Sequence, residues 1–118
     1  MLIIINETRM TNKMIKNTYS VHPGEILAEE FLGPLGLTEY RLAKSTSVSP
    51  RRINQIVRGT RSVTADTALR FARFFGTTAQ FWMNLQTQYD LDVSKHTLTP
   101  VLNRTITTLA DIRQSHSV

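Results

Sequence analysis

Arg51, Gln55 and Arg58 stand at i, i+4 and i+7 of a short segment that also carries Ile53, Ile56 and Val57. On a helix the three polar side chains share one face and the aliphatic ones lie opposite. A guanidinium can donate two hydrogen bonds to O6 and N7 of guanine. A carboxamide can accept from N6 and donate to N7 of adenine. The chemistry of this face is the reading of base edges in a DNA major groove. Arg52 lies beside it, close to where a flanking phosphate backbone would pass. An amphipathic helix with outward arginines is more often only a solvated surface, so the elements around it must decide.

Those elements fit the reading. Thr38 is suited to cap a short helix from about Glu39 to Ser45. Leu42 and Ala43 face inward on it, and Ala43 is small enough for a second helix to cross closely. Thr46-Ser47-Val48 makes a tight turn. Ser49-Pro50 then starts the helix that carries Arg51, because serine caps and proline suits the first helical position. Gly59 fits the left-handed position after its last turn. A short helix, a small crossing residue, a tight turn and a firm helix start are together what a helix-turn-helix needs.

The remaining segments predict an all-α domain of five helices. The first begins at His22-Pro23-Gly24-Glu25, buries Ile26, Leu27 and Phe31, and is expected to end at Gly33-Pro34. Thr64 starts the fourth helix, where Ala65, Ala68, Leu69, Ala72 and Phe75 recur at helical spacing and are expected in the core. Gly76 ends it. The fifth starts at Thr77 or Thr78 and carries Phe81, Trp82, Leu85 and Tyr89 on one side. After Asp90 the composition turns to threonine, serine and charge. Leu98, Leu102, Ile106, Leu109 and Ile112 suggest a weaker extra helix over about 100–113. The expected organisation is a flexible arm over 1–20, with Leu2–Ile5 as a strand candidate and Met10 and Met14 as candidate starts. A helix-turn-helix domain follows over 21–93, then a C-terminal extension over 94–118 that is a candidate helix.

Charge is concentrated where the reading face lies. Between Leu37 and Gly76 there are eight cations (Arg41, Lys44, Arg51, Arg52, Arg58, Arg61, Arg70, Arg73) and two anions (Glu39, Asp66), against six and seven elsewhere. The whole chain carries +5 with a pI near 10.1, a balance that favours a polyanion. Phosphate anchors are expected at Thr38, Ser49, Arg52, Arg61 and Thr64, which flank the reading helix with hydroxyls, N–H groups and charge. No aromatic residues interleave with this surface, which argues against single-stranded substrates.

Other functions find little support. The absence of cysteine excludes disulfides and thiolate metal sites. No apolar run approaches a membrane span, and Leu2–Ile5 is not a convincing secretory signal, so a cytoplasmic protein is expected. His22, His96 and His116 lack zinc-helix spacing. Phosphate loops and nucleophile elbows are missing. Neither an enzyme nor a cofactor is expected.

At this point the residues carry a resemblance. The order of HPGEIL (22–27), SVTADTALRFARFFGTT (62–78), FWMNLQ (81–86) and YDL (89–91) resembles the HigA antitoxin branch, also called virulence-associated protein I. That branch belongs to the lambda-repressor-like XRE/Cro helix-turn-helix family. The resemblance covers about Val21 to Val93. It implies that Pro50, Arg51 and Gln55 occupy base-contacting positions of a recognition helix. It also implies a two-fold dimer, a palindromic operator and a small ribonuclease toxin as partner. A stand-alone regulator of the same fold without a toxin is the alternative. The family often has glycine where this chain has Ser47.

Two partner surfaces are expected. Phe81, Trp82, Met83, Leu85 and Tyr89 are a large apolar load for one helix. Phe81 and Leu85 also suit ordinary core, and the set is a candidate self-complementary patch. Glu25, Glu29 and Glu30 form the main acidic cluster. Such clusters are usually only soluble faces, but this one, or the N-terminal arm, is the candidate contact for a basic toxin.

Overall fold

The computed structural model describes residues 20–115, and these are all-α. The N-terminal arm with its strand candidate, and His116, lie outside the described residues. Helix α1 runs through Pro23–Ile26, a π-helical stretch Leu27–Leu32 and a last turn Gly33–Leu35. It is followed by α2 (Glu39–Thr46), α3 (Pro50–Val57), α4 (Ala65–Phe75), α5 (Ala79–Thr105) and α6 (Leu109–Ser115).

The helix starts follow from local chemistry. Thr38, Ser49, Thr64 and Thr78 each have extended backbone and accept from the N–H three residues on, those of Arg41, Arg52, Thr67 and Phe81. Each hydroxyl thereby satisfies an N–H that the helix itself leaves unpaired. Left-handed glycines close the other ends of α1 and α4, Gly36 at φ 63° and Gly76 at φ 77°.

Gly33-Pro34 does not end α1 as expected. The π-helical stretch carries the chain past the proline, and the Gly33 N–H bonds the carbonyl of Ala28. A proline ring normally clashes with the carbonyl four residues back. The wider turn shifts that carbonyl and lets one more turn form. It also brings the neighbouring pairs Ile26-Leu27 and Phe31-Leu32 to the same buried side.

The extra helix expected over 100–113 is divided differently. Residues 100–105 complete α5, a helix of 27 residues, and the break falls at Ile106, whose backbone is extended. Three β-branched residues, Ile106-Thr107-Thr108, disfavour helix there, and Thr108 Oγ1 accepts from the Asp111 N–H at 3.1 Å to start α6. Pro100 is tolerated inside α5 because the helix is exposed around it, so water can satisfy the carbonyl that loses its partner. No helix among the described residues is long and apolar enough to cross a membrane.

The core is aromatic at its centre. Trp82 is completely buried among Phe31, Phe71, Phe75 and Phe81, with ring centroids 5.0, 5.2, 5.9 and 5.1 Å away. Its indole N–H donates to Thr77 Oγ1 at 2.9 Å, which removes the cost of burying a donor. Ile26, Leu27, Leu42, Ile53, Ile56, Ala68 and Phe71 complete this core at 0 % exposure. Each large side chain so buried contributes about 1.5–3 kcal/mol. Leu69, expected in the core, is 62 % exposed. The buried line of α4 runs through Thr67, Ala68, Phe71 and Phe75 instead, one position away from the spacing that favoured Leu69.

Candidate nucleic-acid interface

Helices α2 and α3 pack through Leu42, Ala43, Ile53 and Ile56, with Val48 of the turn tucked beneath them. The turn is held by backbone bonds, the Val48 N–H donating to Ala43 O at 3.1 Å. Its pivot is Ser47 at φ 54°, the only non-glycine residue with positive φ among the described residues. Asn54 Nδ2 of α3 donates to Glu39 Oε1 of α2 at 3.0 Å. From α4, Arg70 Nη1 donates to the carbonyls of Thr46 and Ser47 at 3.0 and 3.4 Å. The pair of helices is therefore braced on three sides.

This bracing turns one side of α3 outward. Pro50, Arg51 and Arg58 are exposed and Gln55 is half-buried. The backbone carbonyl of Gln55 is occupied by the Thr60 N–H at 2.9 Å and the Thr60 hydroxyl at 3.2 Å, which fixes the loop after the helix. Its carboxamide has no hydrogen-bond partner among the described residues. Gly59 takes the left-handed position at φ 77°. Two guanidinium groups and a carboxamide thus project along one edge of a rigid rod, as base reading requires.

The flanking residues divide into groups with different capacities. Thr38 and Ser49 use an oxygen lone pair as helix caps, and each hydroxyl hydrogen remains able to reach a phosphate. The Thr64 hydroxyl points to Thr67 Oγ1 at 3.3 Å, so its hydrogen is engaged within α4. Arg61 is exposed in the loop after α3. Arg52 is drawn toward α4, with Nη1 3.7 Å from Asp66 Oδ1. Sequence reading missed that pairing because Asp66 lies fourteen positions away.

The helix-turn-helix family model matches residues 28–82. Virulence-associated protein I of Dichelobacter nodosus is 58 % identical over 76 residues, which are 64 % of this chain and 70 % of that protein. The chain belongs to the HigA-type branch of the XRE helix-turn-helix family. An uncharacterised helix-turn-helix transcriptional regulator of Haemophilus influenzae is 44 % identical over 58 % of this chain and 64 % of its own length. The Pseudomonas aeruginosa antitoxin HigA, solved with the higBA promoter, superposes with a TM-score of 0.74 at 41 % identity, covering 76 % of this chain and 98 % of that one.

Within this HigA-type fold the expected dimer patch is divided. Trp82 is 0 % and Leu85 5 % exposed, so both are spent on the protomer's own core and offer no surface to a second copy. Phe81 and Met83 are half-buried against that core. Tyr89 is half-buried, its ring edge-on to His22 with centroids 4.9 Å apart. Larger apolar exposure lies further along the chain, at Leu91, Leu98, Leu102, Ile106 and Leu109. Of the acidic residues expected to face a toxin, Glu29 is exposed and Glu25 and Glu30 are half-buried, all on α1.

Two further residues hold the site in place without touching it. His22 Nδ1 accepts from the Gly24 N–H at 2.9 Å and caps α1. Burial lowers its pKa below the ordinary histidine value, only partly opposed by the Asp90 charge and a backbone bond at Arg61. Gln86 of α5 is buried, accepts from the Val63 N–H at 2.8 Å and donates to Asp90 at 2.9 Å, which pins the loop between α3 and α4. A helix-starting histidine was legible before proline and glycine. Gln86 gave no local signal, because its partner is twenty-three residues away.

Proposed function

We propose that this chain is a repressor of its own promoter and the antitoxin of a co-expressed ribonuclease toxin. Two copies bind a palindromic operator, each laying α3 in the major groove. Pro50, Arg51, Gln55 and Arg58 contact base edges. Thr38, Ser49, Arg52 and Arg61 lie along the flanking phosphates, and Thr64, its hydroxyl hydrogen engaged within α4, offers them only the N–H groups at the start of that helix. The observation that carries this reading is the outward edge of α3, where Arg51 on the helix and Arg58 at its C-cap are exposed, with the helix braced from α2 and α4. The Pseudomonas aeruginosa neighbour, solved with its promoter, supports operator binding. Repression follows from occupancy that excludes polymerase, and the protein works in the cytoplasm without a catalytic step.

Dimerisation is assigned to the exposed parts of α5 and the segment after it. A two-fold pair places the recognition helices about 34 Å apart, one duplex turn. The acidic side of α1, with Glu25, Glu29 and Glu30, faces the toxin. Footprinting of the upstream DNA tests the whole: two protected half-sites about 10 base pairs apart are expected. Absence of any protected site there refutes it.

A second reading, a stand-alone regulator with no toxin, is favoured by the Haemophilus influenzae relative, which is described only as a transcriptional regulator. The adjacent reading frame separates the two. A short basic ribonuclease-like frame supports the antitoxin, and its absence supports the regulator.

A further inference from the structure

We infer that Arg70 is a positioning residue for DNA reading, and that it acts together with Asp66 by locking the recognition helix to the end of α2. This rests on the proposed role of α3. Arg70 lies on α4 and projects across to the turn. Its Nη1 donates to Thr46 O at 3.0 Å and Ser47 O at 3.4 Å, and its Nε donates to Asp66 Oδ1 at 2.8 Å. The same carboxylate oxygen lies 3.7 Å from Arg52 Nη1 on α3. One chain of charge therefore joins the end of α2, the first turn of α4 and the first turn of α3.

The two carbonyls explain the choice of a cation. The last carbonyls of a helix have no partner within it and carry its negative end. Thr46 is the last residue of α2, and Ser47 follows it in a left-handed conformation at φ 54°, so a guanidinium satisfies both at the point of greatest backbone strain. Hydrogen bonds from a charged donor are the stronger kind. The Arg70–Asp66 pair alone would add little, since the side chains are 41 % and 59 % exposed. The bonds to the turn supply the hold.

The consequence is geometric. The angle between α2 and α3 fixes where Arg51 and Gln55 point, and base contacts tolerate displacements of only about 0.5 Å or 10–20°. A residue that locks the turn raises preference for the operator without touching DNA. A phosphate-binding arginine behaves otherwise. Its loss weakens all duplexes alike and lowers the salt slope by about 0.9.

The test measures affinity for the footprinted operator and for a random duplex at several salt concentrations, on folded wild type, Arg70→Ala, Asp66→Asn and Arg73→Ala. Exchange of the Val48 amide is followed without DNA. Arg70→Ala is expected to lower the operator-to-random ratio about tenfold, the size of one lost base contact. Its salt slope stays that of wild type, and Val48 exchanges faster. Asp66→Asn moves the ratio less in the same direction. Arg73→Ala, an exposed arginine of the same helix, leaves ratio and exchange unchanged. A wild-type ratio in Arg70→Ala, or a slope lowered by about one unit, overturns the inference. A wild type with no operator preference sinks the DNA reading itself, and unchanged Val48 exchange in Arg70→Ala then overturns the lock as well. If Arg70→Ala does not fold, Arg70→Lys serves. A single ammonium cannot span Asp66 and both carbonyls, so an intermediate loss of ratio is expected and full retention overturns the lock.

Discussion

Gly24 stands so close to Ile56 that a β-carbon on it would collide with the Ile56 carbonyl oxygen. This contact joins the first turn of α1 to the last turn of α3, and so seats α3 on the rest of the core. Any side chain must push the two helices apart. Gly24→Ala is expected to destabilise the protein by about 1–3 kcal/mol or more, the cost of overpacking against backbone that cannot yield. Urea unfolding measures it. An unchanged midpoint would show that α1 slides freely over α3.

Ser47 holds its left-handed backbone without the freedom of glycine. Relief of that strain outweighs the extra entropy glycine brings to the unfolded chain. Ser47→Gly is therefore expected to stabilise by about 0.5–1 kcal/mol, seen as a rise in melting temperature. A fall would mean that the Ser47 side chain contributes more than its conformation costs.

Two apolar residues of α4 separate by experiment. Phe71 is fully buried beside Trp82, and Leu69 is 62 % exposed. Phe71→Ala is expected to cost about 3–5 kcal/mol, and Leu69→Ala to stay within about 0.5 kcal/mol. Equal losses in thermal melts would return Leu69 to the core.

What the sequence made legible was whatever chemistry acts within one turn. The caps Thr38, Ser49, Thr64 and Thr78, the glycine stops, and the inward Ile53 and Ile56 all follow from neighbours a few positions apart. The same spacing rule puts Arg51, Gln55 and Arg58 on one side, and the structure leaves Arg51 and Arg58 exposed and Gln55 half-buried there. Leu69 misled because an alanine-rich helix has apolar residues on more than one side, and only packing chooses among them. The course of α1 past Pro34 depends on a change of helix pitch that no residue type announces. Arg70 to Thr46, Asn54 to Glu39 and Gln86 to Val63 are contacts across fifteen or more positions. Nothing local marks those arginine, asparagine and glutamine side chains as different from solvated ones.

His22 makes stability depend on pH. Its folded pKa lies below the ordinary value of 6.5, chiefly because burial disfavours the charged ring. The unfolded chain therefore takes up the proton first as pH falls. The contribution of His22 is complete above about pH 6.5 and is lost as pH drops through the lowered folded value. Protonation also removes the Nδ1 lone pair that caps Gly24. Asparagine keeps a capping oxygen without titrating, so His22→Asn should flatten the acid side of the stability profile. A profile unchanged by His22→Asn would assign the slope to other groups.

Arg51 and Arg61 should fail in different ways when removed. Arg51 projects from the outward edge of α3, and Arg61 lies exposed in the loop that follows. If Arg51 reads a base, Arg51→Ala costs about 1–3 kcal/mol on the operator and much less on random DNA. Gln55→Ala behaves alike, with relaxed preference at a different base pair. If Arg61 neutralises a phosphate, Arg61→Ala weakens operator and random duplexes by the same factor and lowers the salt slope by about 0.9. Mobility shifts across a salt series measure both quantities on one set of gels. Equal losses on the two duplexes for Arg51→Ala would leave the outward edge of α3 as a charged surface and nothing more.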